Sequence, residues 1–419
     1  MKHIAVISYH TCPRASVEGK ETGGMNVYVM ELSRTLAAMG HSVDIFTRSH
    51  EANDPLVIEE APRLRVIHLH AGPRSQVAKK ILKGYIVEFT DELFRFIQNE
   101  AFPYDIVHAH YYMSGLIAQK ILSSEKKRSI GAAKFVMSFH TLAIMKNLVA
   151  RDEEEKEDAS RIEAEMTLAR EADALVASSQ SDKEYIQYLY GVPEAKIRCV
   201  PPGVDTDLFR PINKADAKEK IGMPQDSHGI LFVGRIEPLK GIDELLYATK
   251  ILVARNPHLP VYVCIVGGDI RNKPMWWPKT LKFLDDLRRT LNLTTEVNFV
   301  GQQPQEKLPY YYNAADVVVM PSHYESFGMA ALEAMSCGVP VITTNVAGIS
   351  SLIDEKHSSL ITTVNNPLLL ASQIETLLLD PKKHGAIAES LRPRVLDLSW
   401  THVAKRIDRV YDDVMMGSE

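Results

Sequence analysis

Two carboxylates eight residues apart, Glu325 and Glu333, stand in a stretch suited to holding a ligand. The stretch covers residues 316–345, DVVVMPSHYESFGMAALEAMSCGVPVITTN. Its apolar run 317–320 reads as a strand buried on both faces, and Pro321-Ser322 stops it. Glu325 falls in the loop that follows. Residues 327–335 have helical spacing, Cys337-Gly338 closes that helix, and 339–343 reads as the next strand. In open α/β sheets ligands bind beyond the carboxyl ends of the strands, the edge on which this order places Glu325. Glu333 lies in the first turns of the helix. Gly328 and Ala330 are small, so an anion can approach the helix N-terminus, whose free N–H groups and dipole favour it. Two acids beside an anion site are compatible if the ligand carries hydroxyls as well as phosphate. A sugar nucleotide carries both: a diphosphate for the helix end, ribose and sugar hydroxyls for the carboxylates. On spacing alone, a solvated loop charge at Glu325 and a surface helix residue at Glu333 stand as the alternative.

A second strand-to-helix turn supplies cations. Residues 229–233 read as a strand, Gly234-Arg235-Ile-Glu237-Pro238-Leu-Lys240-Gly241 as the turn, and a helix follows from 242. Arg235 and Lys240 flank the turn and can face one site, where they would neutralise a departing diphosphate. Cations so placed contribute on the order of 10³–10⁵ in rate in other phosphate-handling enzymes. No Asp-x-Asp loop offers a convincing metal site, so no metal ion and no cofactor are expected for the chemistry. The strand 261–266 runs into Gly267-Gly268-Asp269 and the strand 297–300 into Gly301-Gln302, both suited to close ligand approach. Near the N-terminus, a strand over 4–8, the loop segment Thr22-Gly23-Gly24-Met25-Asn26, a helix over 27–39 and a strand over 43–47 make a β-α-β unit. Glycines at its helix start would let a phosphate meet bare N–H groups. The pattern is not G-x-G-x-x-G, which disfavours a nicotinamide cofactor.

The rest of the chain must position these groups. Its 419 residues suggest two or three domains of ordinary soluble composition. A formal net charge of −5 argues against a nucleic-acid binder. Cys12, Cys199, Cys264 and Cys337 are scattered without metal or redox spacing and read as buried thiols of a reducing compartment. No apolar run is long enough to cross a membrane, and the N-terminus turns polar too soon for a secretory signal, so the expectation is a cytoplasmic protein. Further strands are expected over 64–69, 106–111, 135–140 and 174–178, and helices over 77–99, 161–172, 306–314, 368–378 and 400–415. The breaker-rich segment 199–211 marks the domain boundary, giving domains 1–205 and 206–395 and a last helix within 396–419. His108 and His110, two apart on one strand, lack a nearby carboxylate or cysteine and are not read as a metal site.

The motifs Glu325-Ser-Phe327-Gly328-Met329, Glu333-Ala334 and Gly338-Val-Pro340-Val together resemble the acidic motif of the retaining glycosyltransferases of family 4. The resemblance extends over nearly the whole chain. It implies the B-type glycosyltransferase fold: α/β, two facing Rossmann-like domains, with the C-terminal helix crossing back to the first. It implies donor contacts from Gly23, Gly24, Gly267, Phe327, Gly328, Met329 and Glu333, with Gly301 at the nucleobase. It implies that His140, at the end of a strand, touches the transferred sugar, and that Asn26, Lys79, Tyr111, Thr141, Lys146 and Arg161 contact the acceptor. A lysine at Lys79 and the planar fork of Arg161 suit a phosphate.

The chemistry so implied is hexosyl transfer with retention. Arg235 and Lys240 would stabilise the leaving diphosphate, a phosphate oxygen would take the acceptor proton on the same face, Glu325 would orient the sugar and Glu333 would hold the ribose. The cationic pocket suits a phosphorylated acceptor. Two subfamilies share its residues, the sucrose-phosphate synthases and the inositol-phosphate N-acetylglucosaminyltransferases of mycothiol synthesis. The segment His140-Thr-Leu-Ala-Ile-Met-Lys146-Asn resembles the second at least as well, whereas the composition lacks a heavy Ala/Arg bias. The expectation is therefore UDP-glucose as donor and fructose 6-phosphate as acceptor, with N-acetylglucosamine transfer to inositol 1-phosphate next. A nucleotide-sugar 2-epimerase, which needs no acceptor pocket, and a noncatalytic sugar-nucleotide sensor are the readings from other classes.

Overall fold

The structure is a computed structural model. It describes residues 1–14, 23–75, 77–100, 103–123, 132–271, 274–345, 348–353, 358 and 360–417. The chain forms two compact units, Met1–Pro202 with Trp400–Glu419, and Gly203–Ser399. The division falls a few residues from the boundaries at 205 and 395 read from the sequence. The reason is local: Val204 N–H donates to the Leu398 carbonyl at 2.9 Å and bridges Ser399, which ties both edges of the crossover to the second unit.

The first unit is built on an eight-stranded sheet: β1 (His3–Ile7), β2 (Ser42–Arg48), β3 (Val57–Ala61), β4 (Leu64–Leu69), β5 (Ile106–His110), β6 (Lys134–Ser138), β7 (Ala174–Ala177) and β8 (Ile197–Cys199), in the order β3-β4-β2-β1-β5-β6-β7-β8. All neighbours are parallel except β3 with β4. The central strands are near-continuous apolar runs because helices cover both faces. The order steps outward from β1 in both directions, so the switch point lies between β1 and β5, where an open sheet opens a crevice at its carboxyl edge. β3 and the short β8, which the sequence reading did not include, are edge strands.

The second unit carries a six-stranded sheet: β9 (His228–Val233), β10 (Val261–Val266), β11 (Val297–Gly301), β12 (Val317–Met320), β13 (Val341–Thr344) and β14 (Ile361–Thr362), in the order β11-β10-β9-β12-β13-β14. Every pairing is parallel. Its core gathers Ile230, Val263, Ile265, Val318 and Ile342 with Leu245, Leu332, Ile374 and Leu391 from the helices. The switch point falls between β9 and β12, the two strands followed by Arg235–Lys240 and by Glu325.

Two helices read as single from the sequence are divided. Residues 77–99 form Lys79–Leu82, a 3-10 turn over Lys83–Tyr85, and Ile86–Gln98. Gly84 holds the chain poorly in a helix, and the tighter turn absorbs the change of direction there. Likewise 306–314 starts as a 3-10 turn at Gln305–Lys307 and becomes α-helical at Leu308–Ala314, with Pro309 in the first turn, where its missing N–H costs nothing. The N-terminal helix begins earlier than expected, at Gly24, because Gly23 in extended conformation serves as its N-cap.

Candidate functional sites

The carboxyl edge of the first sheet places most of the acceptor candidates. β5 and β6 end side by side; Tyr111 directly after β5 has a positive φ of 75°, and His140, two residues after the end of β6, one of 61°. Left-handed backbone at a bulky residue costs of order 1–3 kcal/mol and persists only where the surroundings hold it. Here Tyr111 N–H donates to the Ser138 carbonyl at 2.9 Å, joining the two strand ends. The turn presents the Tyr111 ring to two cations: Lys79 Nζ lies 4.3 Å and Arg161 Cζ 4.8 Å from its centroid. The Tyr111 hydroxyl is buried and has no hydrogen-bond partner among the described residues.

Arg161, 2% exposed, is anchored on all three nitrogens. Nε donates to Glu165 Oε1 at 2.7 Å, and Nη2 to the Thr141 carbonyl and hydroxyl, each at 3.1 Å. Nη1 lies 2.6 Å from Glu157 Oε1, an ion pair rather than an aligned hydrogen bond. Glu157 Oε1 is also paired with Lys146 Nζ. Burial by itself would raise the Glu157 pKa, but the charges of Arg161, Lys146 and Lys79 outweigh it and hold the carboxyl at about 2. Glu165 is fully buried and also accepts from Ala143 N–H at 2.9 Å and Tyr190 Oη at 2.6 Å. The structure thus gathers Lys79, Tyr111, Thr141, Lys146 and Arg161. The Arg161 fork, expected to contact the acceptor, is engaged by Glu157 and Glu165. Sequence reasoning missed both acids. Their i and i+4 spacing around Arg161 was the available signal.

Asn26 is buried in the first turn of the helix Gly24–Ala38, and its Nδ2 donates to Thr11 Oγ1 at 3.0 Å. Thr22, which completed the glycine-containing motif in the sequence, lies outside the described residues. Beside this helix the imidazoles form a buried column. His108 meets Tyr411 Oη at 2.8 Å and Ser138 Oγ at 2.9 Å, and His110 Nδ1 meets His140 Nε2 at 2.9 Å. Burial pushes the His108 pKa down to about 3, that of His140 to about 4, and that of His110 well below the ordinary value. All three rings are neutral at pH 7, so His140 meets its surroundings as an uncharged imidazole.

In the second unit three glycine-bearing strand ends are laced together. Gly234 N–H donates to the Val266 carbonyl at 3.0 Å, Gly267 N–H to Gly301 at 2.9 Å and Gln302 N–H to Gly268 at 2.9 Å. Beyond β12, His323 N–H donates to the Leu239 carbonyl at 2.9 Å, bringing the Lys240 turn against the Glu325 loop. Lys240 Nζ pairs with Glu325 Oε2, both largely shielded from solvent. Arg235 behaves differently. It pairs with Glu237 at 2.7 Å and is about half exposed. The expectation that Arg235 and Lys240 stand together is therefore met only in part: they share one turn but have different carboxylate partners. The helix Met329–Ser336 starts after Gly328, whose φ of 101° no other residue adopts cheaply, and Phe327 is buried behind it.

Glu333 points inward. It is buried, and Tyr312 Oη donates to its Oε2 at 2.6 Å. Burial raises its pKa and the Tyr312 hydrogen bond lowers it, with the balance at about 7. Tyr312 is the functional neighbour that the sequence did not reveal. The Met275–Pro278 loop contains a 3-10 turn over Pro274–Trp276, and Asn272 and Lys273 before it lie outside the described residues. Among the described residues no three His, Cys, Asp or Glu side chains gather as a metal site, and no helix is long and apolar enough to cross a membrane.

Comparisons with known proteins match this division. The model described as "Glycosyltransferase Family 4" matches residues 22–208, and that described as "Glycosyl transferases group 1" matches residues 213–393. A D-inositol 3-phosphate glycosyltransferase of Nocardiopsis dassonvillei is 34% identical over 411 residues, covering 97% of this chain and 94% of that protein. The solved structure of a sucrose-phosphate synthase from Thermosynechococcus elongatus is similar with a TM-score of 0.88 and 31% identity, each chain fully covered. Anabaena HepE in complex with UDP-glucose shares the fold with a TM-score of 0.73 at 19% identity, covering 98% of this chain and all of that one.

Proposed function

The chain belongs to the family 4, group 1 glycosyltransferases of the B-type fold and moves a sugar from a nucleotide sugar, and from that premise we propose that its acceptor is a phosphorylated sugar or inositol and its donor UDP-glucose. The observation that carries the acceptor reading is the gathering of Lys79, Lys146 and Arg161 around Tyr111 and Thr141 at one sheet edge. Three cations beside a buried, unpartnered hydroxyl suit a phosphate monoester, which carries about −1.5 to −2 charges near pH 7 and three acceptor oxygens. An epimerase, which takes no acceptor, gains nothing from them.

On the donor side, Lys240 meets the diphosphate as it leaves and Glu325 accepts hydroxyls of the transferred sugar. The salt bridge between Lys240 and Glu325 holds both groups in place at the edge where the donor is proposed to bind. The ribose hydroxyls donate to Glu333, and Arg235, on its exposed turn, adds a second cation. The acceptor hydroxyl gives its proton to a phosphate oxygen of the leaving group as the new bond forms on the same face, so the anomeric configuration is retained. The chain's own contribution is positioning and charge stabilisation, with no protein nucleophile and no metal.

Fructose 6-phosphate is supported by the likeness to the sucrose-phosphate synthase at 31% identity. Inositol phosphate is the second reading, favoured by relatives of 33–34% identity whose names specify D-inositol 3-phosphate. Incubation with UDP-glucose or UDP-N-acetylglucosamine and each phosphorylated acceptor, with products identified by NMR, separates the two. Sucrose 6-phosphate supports the first, an inositol-linked product the second, and UDP release without either product rejects both. The Glu325→Ala variant is expected to lose about 10²–10³ in kcat while donor affinity changes only a few-fold. Unchanged turnover removes Glu325 from the mechanism.

A further inference from the structure

The anion seat of the first unit is already occupied by a residue of the chain. Glu157 precedes the helix Ala159–Glu171 and is fixed through its backbone: its N–H donates to Asn147 Oδ1 at 2.7 Å, and its carbonyl accepts from Asn147 Nδ2 at 3.1 Å. Asn147 lies on the helix Ala143–Val149, one residue after Lys146. This clamp brings one carboxylate oxygen onto both Lys146 Nζ and Arg161 Nη1. Of the groups engaging Arg161, Glu165 cannot leave. It is fully buried and also receives the Ala143 N–H and the Tyr190 hydroxyl. The Thr141 contacts involve Nη2 and depend on the strand end. Glu157 is the acid that combines a contact to a terminal nitrogen with a side chain that still reaches solvent, 21% exposed.

From this arrangement we propose that Glu157 is the specificity-determining residue of the acceptor pocket, an internal anion that holds the phosphate seat and yields it only to a dianion. This rests on the reading of the pocket as a phosphate site. Lys146 and Arg161 share the single Glu157 carboxylate oxygen, so with that carboxylate swung outward two cations face one seat, an arrangement that suits a phosphate monoester. A hydroxyl or a monoanionic carboxylate offers no more to Lys146 and Arg161 than Glu157 already does, so an unphosphorylated polyol is refused. A phosphate brings a second charge and more oxygens, and reaches Lys79 and the Tyr111 hydroxyl in addition. The apparent affinity of any ligand that needs the seat is its intrinsic affinity multiplied by the fraction of molecules in which Glu157 is not seated, so only a ligand of high intrinsic affinity, as a dianion is against these cations, still binds measurably.

Calorimetric titration of the whole chain with inorganic phosphate, and separately with acetate, tests the proposal. Glu157→Gln is expected to bind phosphate about tenfold more tightly than wild type and to acquire measurable acetate binding. Glu157→Ala, which also removes the residual amide contacts, is expected to do the same, with melting temperatures confirming that both variants are folded. Phosphate binding equal to or weaker than wild type in both folded variants overturns the proposal. Lys79→Ala in the Glu157→Gln background separates the two levels. If Lys79→Ala weakens phosphate binding while Glu157→Gln fails to tighten it, only the role of Glu157 is lost. If phosphate affinity ignores Lys79→Ala, or phosphate binds to none of the variants, the pocket reading fails and the proposal with it.

Discussion

At the scale of single residues, burial and one hydrogen bond set the protonation of Glu333, the residue proposed to hold the ribose of the donor. Its carboxyl titrates near 7, raised by burial and lowered by the 2.6 Å hydrogen bond from Tyr312. Ribose hydroxyls donate to a carboxylate, not to the half of the acid that already carries a proton. Donor affinity is therefore expected to be full above pH 7 and to fall as pH drops through it, approaching tenfold per unit. Tyr312→Phe removes the bond that favours the anion, so the inflection moves about one pH unit higher. UDP titrations from pH 5.5 to 8.5 on both proteins check this; a flat profile, or one that Tyr312→Phe leaves in place, removes Glu333 from the nucleotide. The residue types were legible in the sequence here, because Glu325, Glu333, Arg235, Lys240, Lys79 and Arg161 are the charges that a sugar phosphate needs. Their partners were not. Glu157 joins Arg161 across four residues, a spacing that the sequence offered but that solvated charge pairs share, whereas Tyr312 meets Glu333 from another helix and leaves no trace in the motif itself.

At the scale of elements, the strand ends at the edge proposed to hold the donor touch without side chains between them. A Cβ at Gly267, whose φ is 140°, would lie 1.9 Å from the Gly234 carbonyl oxygen, and one at Gly241, at φ 63°, 2.1 Å from that of Pro321. In both cases the obstacle is backbone, which cannot rotate aside. Gly267→Ala must therefore part β9 from β10 at the edge where the nucleotide is proposed to bind. The expected cost is about 3 kcal/mol or more, read as a lowered denaturation midpoint, together with loss of UDP binding. A variant of wild-type stability with intact UDP binding contradicts the close approach. The buried parallel strands were readable as apolar runs, because both faces of each strand are covered. The edge strands β3 and β8 were not, since half of each faces solvent and their patterns are short. The break at Gly84 was missed because helical periodicity survives a single tight turn.

At the scale of the molecule, the first unit is not one stretch of chain. It takes its last helix, Trp400–Met416, from beyond the second unit. That helix buries Trp400, Val403, Ala404, Ile407, Val410, Tyr411 and Val414, a single stripe at three- and four-residue intervals. It packs against the helix Gly24–Ala38. Tyr28 meets Trp400 edge to face at 5.6 Å, Tyr411 supplies the partner of His108, and Lys2 bridges Asp408 and Asp412 at 2.5 and 2.8 Å. Burying seven such side chains contributes on the order of 10 kcal/mol at about 1.5–3 kcal/mol for each large apolar residue, comparable with the entire stability of a typical domain. The helix Gly24–Ala38 and the histidine column that includes His140 thus depend on residues some three to four hundred positions away. A chain ending at Ser399 is expected to lose the unfolding transition of the first unit while keeping that of the second. It should still bind UDP but no longer transfer sugar. A peptide spanning residues 397–417, added in excess, should restore the first transition in proportion to its concentration, as ligand linkage requires. Calorimetry of the full and shortened chains decides the matter. Two unchanged transitions after truncation show that the first unit stands without its last helix, whereas loss of both transitions shows that the two units unfold as one.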